Sequence, residues 1–213
     1  MPTATWERLP QERRAAVIEA AEAEFAARGF SHGSLNTICR EAGVSKGSLF
    51  QYFTDKADMY VYLADRASRR IRAAIEAEAA RLHWNDDFYS SMLSLTETWV
   101  RYFYDHPRDL AMTAATNLEP DQTARASVRE VVNEHYTEVL SPLLDAARDN
   151  GQLTREADPQ AILAVLLVLL PHLAIAPHVR GLDSVMGLEA SDAEQAAAAG
   201  TRMIAVAVRP YVR

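Results

Sequence analysis

The stretch SLNTICREAGVSKGSLFQYF, residues 34–53, decides the fold. Ser34 and Ser45 are residues of the N-cap type, and each precedes a run whose apolar side chains recur at helical spacing. Gly43 lies between the two runs, where a helix end needs a residue that tolerates the left-handed backbone conformation. A short turn with glycine lets two helices cross steeply. The stretch therefore predicts a helix-turn-helix.

The second helix of this pair is predicted to run from Lys46 to about Phe53. It should expose polar side chains that a core does not need, namely Lys46, Ser48, Gln51 and Tyr52. Such side chains suit a helix that lies in the major groove of duplex DNA, where base edges offer donors, acceptors and thymine methyl groups. Gly47 would let the helix backbone approach the groove closely. The alternative is a helical hairpin in a bundle, which leaves the exposed polar set without a purpose.

Groups next to this helix are predicted partners of the DNA backbone. Ser34 and Thr37 would bind one strand, and Ser45 with Lys46 the neighbouring backbone. Lys56, in the first turn of the following helix, would reach a further phosphate. Double-stranded DNA is thus the expected partner of the N-terminal region.

The composition favours helix along the whole chain. The 213 residues are 49% hydrophobic and 24% charged, with only 8 glycines and 9 prolines. No segment shows sustained alternation of β-branched residues, so we expect an all-α protein. A first helix is predicted from about Gln11 to Arg28, closed by Gly29, and a long one from Thr54 or Asp55 to about Leu82. Later helices are predicted at about 87–105, 107–117, 121–150, 158–179 and 190–208.

The charge is distributed unevenly. The net charge is −7, but residues 1–70 carry ten Lys and Arg against nine Asp and Glu, whereas residues 71–213 carry twelve against twenty. Only the N-terminal part can therefore present a basic surface to phosphates. The single cysteine, Cys39, excludes an internal disulfide and suits the reducing cytoplasm, where its side chain would be small and buried.

From Arg14 to Leu63 the sequence strongly resembles the tetracycline-repressor (TetR) family of bacterial regulators. The segments that carry the resemblance are Val17-Ile18-Glu19-Ala20-Ala21, Phe25, Gly29-Phe30, Ile38, Ala42-Gly43-Val44-Ser45-Lys46-Gly47-Ser48-Leu49-Phe50, Tyr52-Phe53, Lys56 and Met59. By this resemblance Phe50 takes the place of a frequent tyrosine that touches the DNA backbone, and one phosphate hydrogen bond is missing. The predicted DNA-binding residues are Ser34, Asn36, Thr37, Ser45, Lys46, Gly47, Ser48, Phe50, Gln51, Tyr52 and Lys56.

The resemblance implies a DNA-binding domain over residues 8–55, a connecting helix over 56–82 and a helical domain over 83–213 that dimerises and binds an effector. The sequence itself supports a homodimer through the helices at about 158–179 and 190–208. The first of these is apolar on almost every side, which predicts a helix buried all round. The second offers small residues for close approach. Two-fold symmetry would match a palindromic operator.

A pocket for a small apolar or amphipathic effector is predicted in this second domain, and the same residues suit a plain core equally well. The candidates are Met92, Trp99, Tyr102, Phe103, Met112, Asn117, His135 and Tyr136. The expected function is a transcriptional regulator, by family default a repressor that its ligand releases. A regulator controlled by a partner protein is the alternative.

An enzyme is the alternative hypothesis from a different functional class. None of the six histidines has a glutamate three positions before it, as a carboxylate-bridged di-metal site needs, and no hydrolase or phosphate-loop motif occurs. We therefore expect no catalysis, no metal and no cofactor. The N-terminus lacks the pattern of a signal peptide, and the apolar run 161–176 is short for a membrane span. A cytoplasmic protein without a membrane partner is expected.

Overall fold

A computed structural model describes residues 2–189 and 192–213 of the chain. Within these ranges the secondary structure is helical, apart from an isolated antiparallel bridge between Leu153 and Val212. The helices are α1 (Ala4–Glu7), α2 (Gln11–His32), α3 (Leu35–Glu41), α4 (Lys46–Tyr52), α5 (Lys56–Ala79), α6 (Phe88–Asp105), α7 (Pro107–Asn117), α8 (Gln122–Asp149), α9 (Pro159–Ile175) and α10 (Ala193–Val208), followed by a short 3-10 turn (Arg209–Tyr211). The all-α prediction is confirmed.

The predicted helix ends lie close to the observed ones. Gly29 has a positive φ of 66° as expected, but the helical hydrogen bonding resumes beyond it to His32 and makes a kink inside α2. Helices α5 and α9 end a few residues earlier than predicted. The predicted start of the last helix at residues 190 and 191 lies outside the described residues. The short helix α1 was not predicted.

The chain divides into two compact units. Among the described residues the first unit contains 2–69 and 111–132, and the second contains 70–110, 133–189 and 192–213. The predicted division differs from this, because it placed 111–132 with the effector domain. Helices α5, α7 and α8 each contribute residues to both units.

The first unit has an aromatic and aliphatic core. Its largest fully buried side chains include Trp6, Phe25, Phe53 and Tyr60. Phe25 meets Tyr60 edge to face, with ring centroids 5.1 Å apart. Such aromatic pairs add to the stabilisation that burial of their area provides.

Within the first unit, Glu119 binds segment 111–132 to the end of α2. Its buried carboxylate accepts hydrogen bonds from the backbone N–H of Phe30 at 2.7 Å and of Ser31 at 3.3 Å, and from the Ser31 hydroxyl. It also accepts from the N–H of Asp121 at 3.1 Å. A Cβ at Gly29 would lie 3.0 Å from Glu119 Oε2, so the glycine leaves room for this carboxylate. These bonds satisfy a buried charge that would otherwise be costly.

In the second unit α6 packs against α9 and α10. Gly200 allows the close approach of α10, because a Cβ there would lie 3.1 Å from a methyl group of Val100 on α6. The indole N–H of Trp99 donates to the Leu170 carbonyl at 2.8 Å and ties α6 to α9. The small residues of α10 therefore serve contacts within the chain.

Helix α9, which is predicted to be buried all round as part of a subunit interface, is only partly buried within the single chain. Leu166, Leu170 and Leu173 are buried, but Val165 and Val168 are exposed, Val168 to 70%. On α10, Val206 is 79% exposed. Among the described residues the exposed side of α9 is therefore apolar, whereas the exposed side of α10 carries Gln195, Ala198 and Arg202 beside Val206.

Candidate nucleic-acid interface

The helix-turn-helix is built as its capping residues predict. The Ser34 hydroxyl accepts from the Thr37 N–H at 3.3 Å and begins α3, and the Ser45 hydroxyl accepts from the Ser48 N–H at 3.0 Å and begins α4. Gly43 has a positive φ of 65° in the turn. Each helix is only seven residues long, so caps and core contacts stabilise them rather than helix propensity.

Helix α4 presents a polar face away from the core. Lys46, Gly47 and Gln51 are exposed and Ser48 is half-buried, while Leu49 holds the opposite face in the core. Phe50 is 45% exposed, although an aromatic side chain of this size usually buries most of its surface. Of the four side chains predicted to be exposed, Lys46 and Gln51 are exposed and Ser48 is partly so.

The expected exposure of Tyr52 is wrong. Its ring is 5% exposed and lies 5.8 Å from the ring of Trp6, centroid to centroid. Tyr52 follows Leu49 by three residues, so both lie on the same face of α4 and turn inward. Tyr52 supports the helix from the core side, and its ring is not part of the polar face.

Gly47 is not required by the fold. Its φ is not positive, and the only heavy atom near a Cβ built there is Ser45 Oγ at 3.8 Å, an ordinary van der Waals contact. An alanine would also be the better helix former. A glycine at this exposed position therefore fits a surface that another molecule approaches closely.

Helix α3 contributes a second polar strip. Asn36 is exposed and Thr37 half-buried, as expected for DNA contacts. Arg40 lies on the same face, since it follows these residues by four and three positions, and its guanidinium pairs with Glu41 at 2.9 Å. Sequence reasoning did not single out Arg40, although its spacing from Asn36 is the signal that places it here.

Lys56 and Cys39 lie at the edges of this surface. Lys56 begins α5, and its ammonium lies 4.6 Å from the centroid of the Phe30 ring, a cation–π contact. Cys39 is buried, as predicted. Burial raises the pKa of its thiol, and the charge of Lys46 opposes this rise. Cys39 is therefore a small core residue.

The predicted effector residues divide between the two units. Trp99 lies 5.1 Å from the ring of Phe103 and 5.4 Å from that of Tyr136, and Phe103 lies 5.3 Å from Tyr102. These four rings form an aromatic cluster in the second unit. Met92 is buried in the same unit, where His135 is half-buried.

Two of the predicted effector residues lie elsewhere. Met112 is buried in the core of the first unit. Asn117 is also in the first unit, where its side chain donates to the Thr113 carbonyl at 2.9 Å and accepts from Arg129 at 2.8 Å. These contacts give both side chains a role within the first unit.

A network of polar groups borders the aromatic cluster. The Tyr102 hydroxyl donates to the buried Asp109 carboxylate at 2.7 Å, and Arg70 pairs with the same carboxylate at 2.6 Å. The Tyr102 ring also stacks on His106, with centroids 3.8 Å apart. Burial, and then the bond to Asp109, raises the pKa of the Tyr102 hydroxyl, which therefore stays protonated and donates.

Among the described residues, no group of three or more His, Cys, Asp or Glu side chains is placed to hold a metal ion. Within the same ranges no helix is long and apolar enough to cross a membrane.

Known proteins resemble this chain in the same region and beyond it. Residues 17–63 match the sequence model described as bacterial regulatory proteins, tetR family. The helix-turn-helix-type transcriptional regulator YdgC of Bacillus subtilis (strain 168) is 25% identical over 177 residues, which cover 75% of this chain and 91% of the relative. The helix-turn-helix-type transcriptional repressor BepR of Brucella suis biovar 1 (strain 1330) is 26% identical over 162 residues, covering 75% of this chain and 77% of the relative.

A solved structure shares the fold at low identity. The crystal structure of the transcriptional regulator FadR from Bacillus subtilis in complex with stearoyl-CoA superposes with a TM-score of 0.70 at 16% identity, covering 91% of this chain and 98% of that one. The likeness therefore extends past the helix-turn-helix into the helices of the second unit.

Proposed function

We propose that this chain, whose residues 17–63 match the tetR family of bacterial regulatory proteins, is a DNA-binding transcriptional regulator of that family: a cytoplasmic, homodimeric repressor that a small molecule releases from a palindromic operator. The observation that carries the proposal is the exposed face of α4, where the side chains of Lys46 and Gln51 are exposed and the backbone does not require a glycine at Gly47. We call α4 the recognition helix from here on.

Within this proposal the contacts sort by chemistry. Gln51 and Ser48 read base edges in the major groove, because an amide side chain forms paired hydrogen bonds to a base. Lys46, Ser45, Ser34 and Thr37 bind phosphates, which fixes the register and makes affinity depend on salt. Lys56 and Asn36 lie at the margins of the same surface, and Phe50 makes apolar contact.

The exposed faces of α9 and α10 support the dimer. An exposed apolar patch of this kind marks an interaction surface. Val168 and Val206 would be covered if α9 and α10 of two subunits formed a four-helix interface. A two-fold dimer would present two recognition helices to two half-sites about one helical turn of DNA apart.

The effector is assigned to the second unit. The FadR structure holds stearoyl-CoA, and the aromatic cluster around Trp99 is where a small apolar or amphipathic molecule would find aromatic side chains to bind in this chain. Since α5 runs without interruption from the first unit into the second, a ligand that prefers another tilt of α5 would change the separation of the recognition helices. Repression is supported by the likeness to BepR, which is a transcriptional repressor.

Selection of duplex DNA from a random library by the purified protein tests the proposal, with the mass of the protein measured in parallel. A palindrome bound by two subunits is the expected result. Folded protein that recovers no duplex at low salt would contradict it. The selected duplex then reports the effector, because a true ligand must lower operator affinity. Control by a partner protein, the second possibility, would leave affinity unchanged by small molecules.

A further inference from the structure

We infer that Thr3 and Trp6 are positioning residues for the recognition helix, and that the N-terminal arm (residues 3–7) sets DNA affinity and base preference from behind the reading face. The inference rests on the proposed function, in which Gln51 reads bases. Neither residue belongs to the polar face, and neither would touch DNA in the assigned role.

The recognition helix ends in backbone groups that it cannot satisfy itself. The last carbonyls of any α-helix lack partners within the helix. Here Thr3 supplies the missing donors for two of these carbonyls. Its hydroxyl donates to the Gln51 carbonyl at 2.5 Å, and its N–H donates to the Tyr52 carbonyl at 2.9 Å. One residue of the arm therefore fixes the C-terminal end of a seven-residue helix.

Trp6 holds the arm against the same end. Its side chain is fully buried, and its ring centroid lies 4.9 Å from that of Phe53 and 5.8 Å from those of Tyr52 and Tyr62. The indole N–H donates to the Tyr62 hydroxyl at 3.2 Å. Phe53 follows the recognition helix and Tyr62 lies on α5, so Trp6 fills the junction between the two helices.

The arm acts on the residue whose side chain is proposed to read bases. Gln51 offers its side chain to solvent and its carbonyl to Thr3. A hydrogen bond to a base tolerates only a few tenths of an ångström in distance. A small rotation of the helix end therefore weakens base recognition more than it lowers the stability of the fold.

Thr3→Val is the sharpest variant, because it removes the hydroxyl and keeps the shape and the backbone N–H. Thr3→Ser restores the hydroxyl and should rescue binding. The matched control is Ser127→Ala, which removes a hydroxyl that donates to the Thr123 carbonyl at 3.1 Å in the same unit, far along the chain from the recognition helix. Three readouts are compared: the midpoint of thermal unfolding, affinity for the duplex selected by the wild type, and the sequences that each variant selects.

Thr3→Val is expected to bind the selected duplex about five- to tenfold more weakly, the equivalent of one hydrogen bond. Its base preference should change at the positions that Gln51 reads, while unfolding stays within a few degrees of the wild type. Wild-type affinity and preference in Thr3→Val would overturn the inference. So would a loss that is equal on all sequences, since that is the signature of a merely structural role.

Amide hydrogen exchange without DNA separates this inference from the proposed function. Thr3→Val should accelerate exchange in residues 49–53 and leave α3 unchanged, whether or not the wild type selects a duplex. Unchanged exchange in residues 49–53 would overturn the positioning role by itself. A wild type that selects no duplex would overturn the proposed function and leave the exchange result to decide the arm.

Discussion

The two compact units bury and expose different kinds of side chain. The first unit closes its apolar core and leaves a polar helix outside, with Lys46 and Gln51 exposed. The second unit leaves apolar side chains outside, among them Val168 on α9 and Val206 on α10. The exposed polar side chains of the first unit are not needed for its stability. The exposed valines of the second unit are of the kind that usually packs in a core.

This difference explains why the sequence indicates the binding function of the first unit more clearly than the function of the second unit. A polar set on a short exposed helix has few uses besides binding, so these residues support the proposal of a DNA partner. Apolar side chains such as Trp99 serve a core, a pocket or an interface with the same chemistry. The comparison can be tested by changing one residue of each kind.

The largest effect is expected for Val168→Asp in the second unit. A dimer would place two unpaired carboxylates in an apolar interface, so it should dissociate and lose about hundredfold or more in operator affinity. Sedimentation and operator titration measure both results. Val185→Asp is the control, because Val185 is 87% exposed and lies outside α9 and α10. A Val168→Asp protein that remains dimeric would place the interface elsewhere.

The next effect tests whether segment 111–132 belongs to the first unit. Glu119→Gln should lower the free energy of unfolding by about 2 kcal/mol at neutral pH, because a charged acceptor of several hydrogen bonds is lost. Burial alone would raise the pKa of Glu119, but the bonds from Ser31, Asp121 and Phe30 outweigh it and hold the pKa below its ordinary 4.5.

The pH dependence follows from this direction. The ionised Glu119 stabilises the fold above its unfolded pKa of about 4.5, and the contribution is lost as the pH falls through the lower folded pKa. Denaturant titrations at pH 7 and at acid pH should therefore show the gap between wild type and Glu119→Gln closing in acid. Glu130→Gln, at an exposed position of the same segment, should show no gap. A gap that persists in acid contradicts the role of the charge.

A smaller effect is expected on the polar face of the first unit. Lys46→Ala should weaken binding by about tenfold on every duplex alike and lower the salt slope by about one, because one phosphate contact is lost. Titration over a range of salt measures both quantities. Arg81→Ala removes an exposed cation of the second unit and should change neither. An unchanged slope in Lys46→Ala would show that the recognition helix is docked differently.

The smallest effect compares two exposed glycines. Gly47→Ala should raise stability by up to about 1 kcal/mol through helix propensity, yet weaken DNA binding several-fold because the added methyl group meets the groove. Gly43→Ala should do the reverse to stability, since Gly43 has a positive φ of 65° and alanine is strained there. Unfolding and binding are measured in parallel. Unchanged DNA affinity in Gly47→Ala would show that the helix backbone at Gly47 does not approach the groove closely.

Local sequence signals predicted most of the fold and much of the candidate site. The caps Ser34 and Ser45 and the turn glycine Gly43 act over a few residues, so they are readable without tertiary structure, and the structure confirms them. Helical periodicity likewise placed α5 to α10 within a few residues. These signals depend only on residues that are close together in the chain.

The expectations that differ from the structure or stayed open concern places where contacts between residues far apart in the chain decide. Tyr52 is buried because Trp6 packs on it from another part of the chain, and no period within α4 reveals that. Segment 111–132 joins the first unit because Glu119 binds Phe30 and Ser31, 89 and 88 residues away. The sequence pattern could not distinguish a ligand pocket from a plain core in the second unit, because aromatic residues recur at the same helical spacing in both.

Whether the recognition helix reads duplex DNA is tested by a paired selection from one random library with the wild type and Gln51→Ala. Both proteins should recover palindromes of the same half-site spacing, and Gln51→Ala should lose or change its preference at one symmetric pair of positions. Recovery of identical sequences by both proteins would contradict this expectation, because Gln51 would then lie outside the groove.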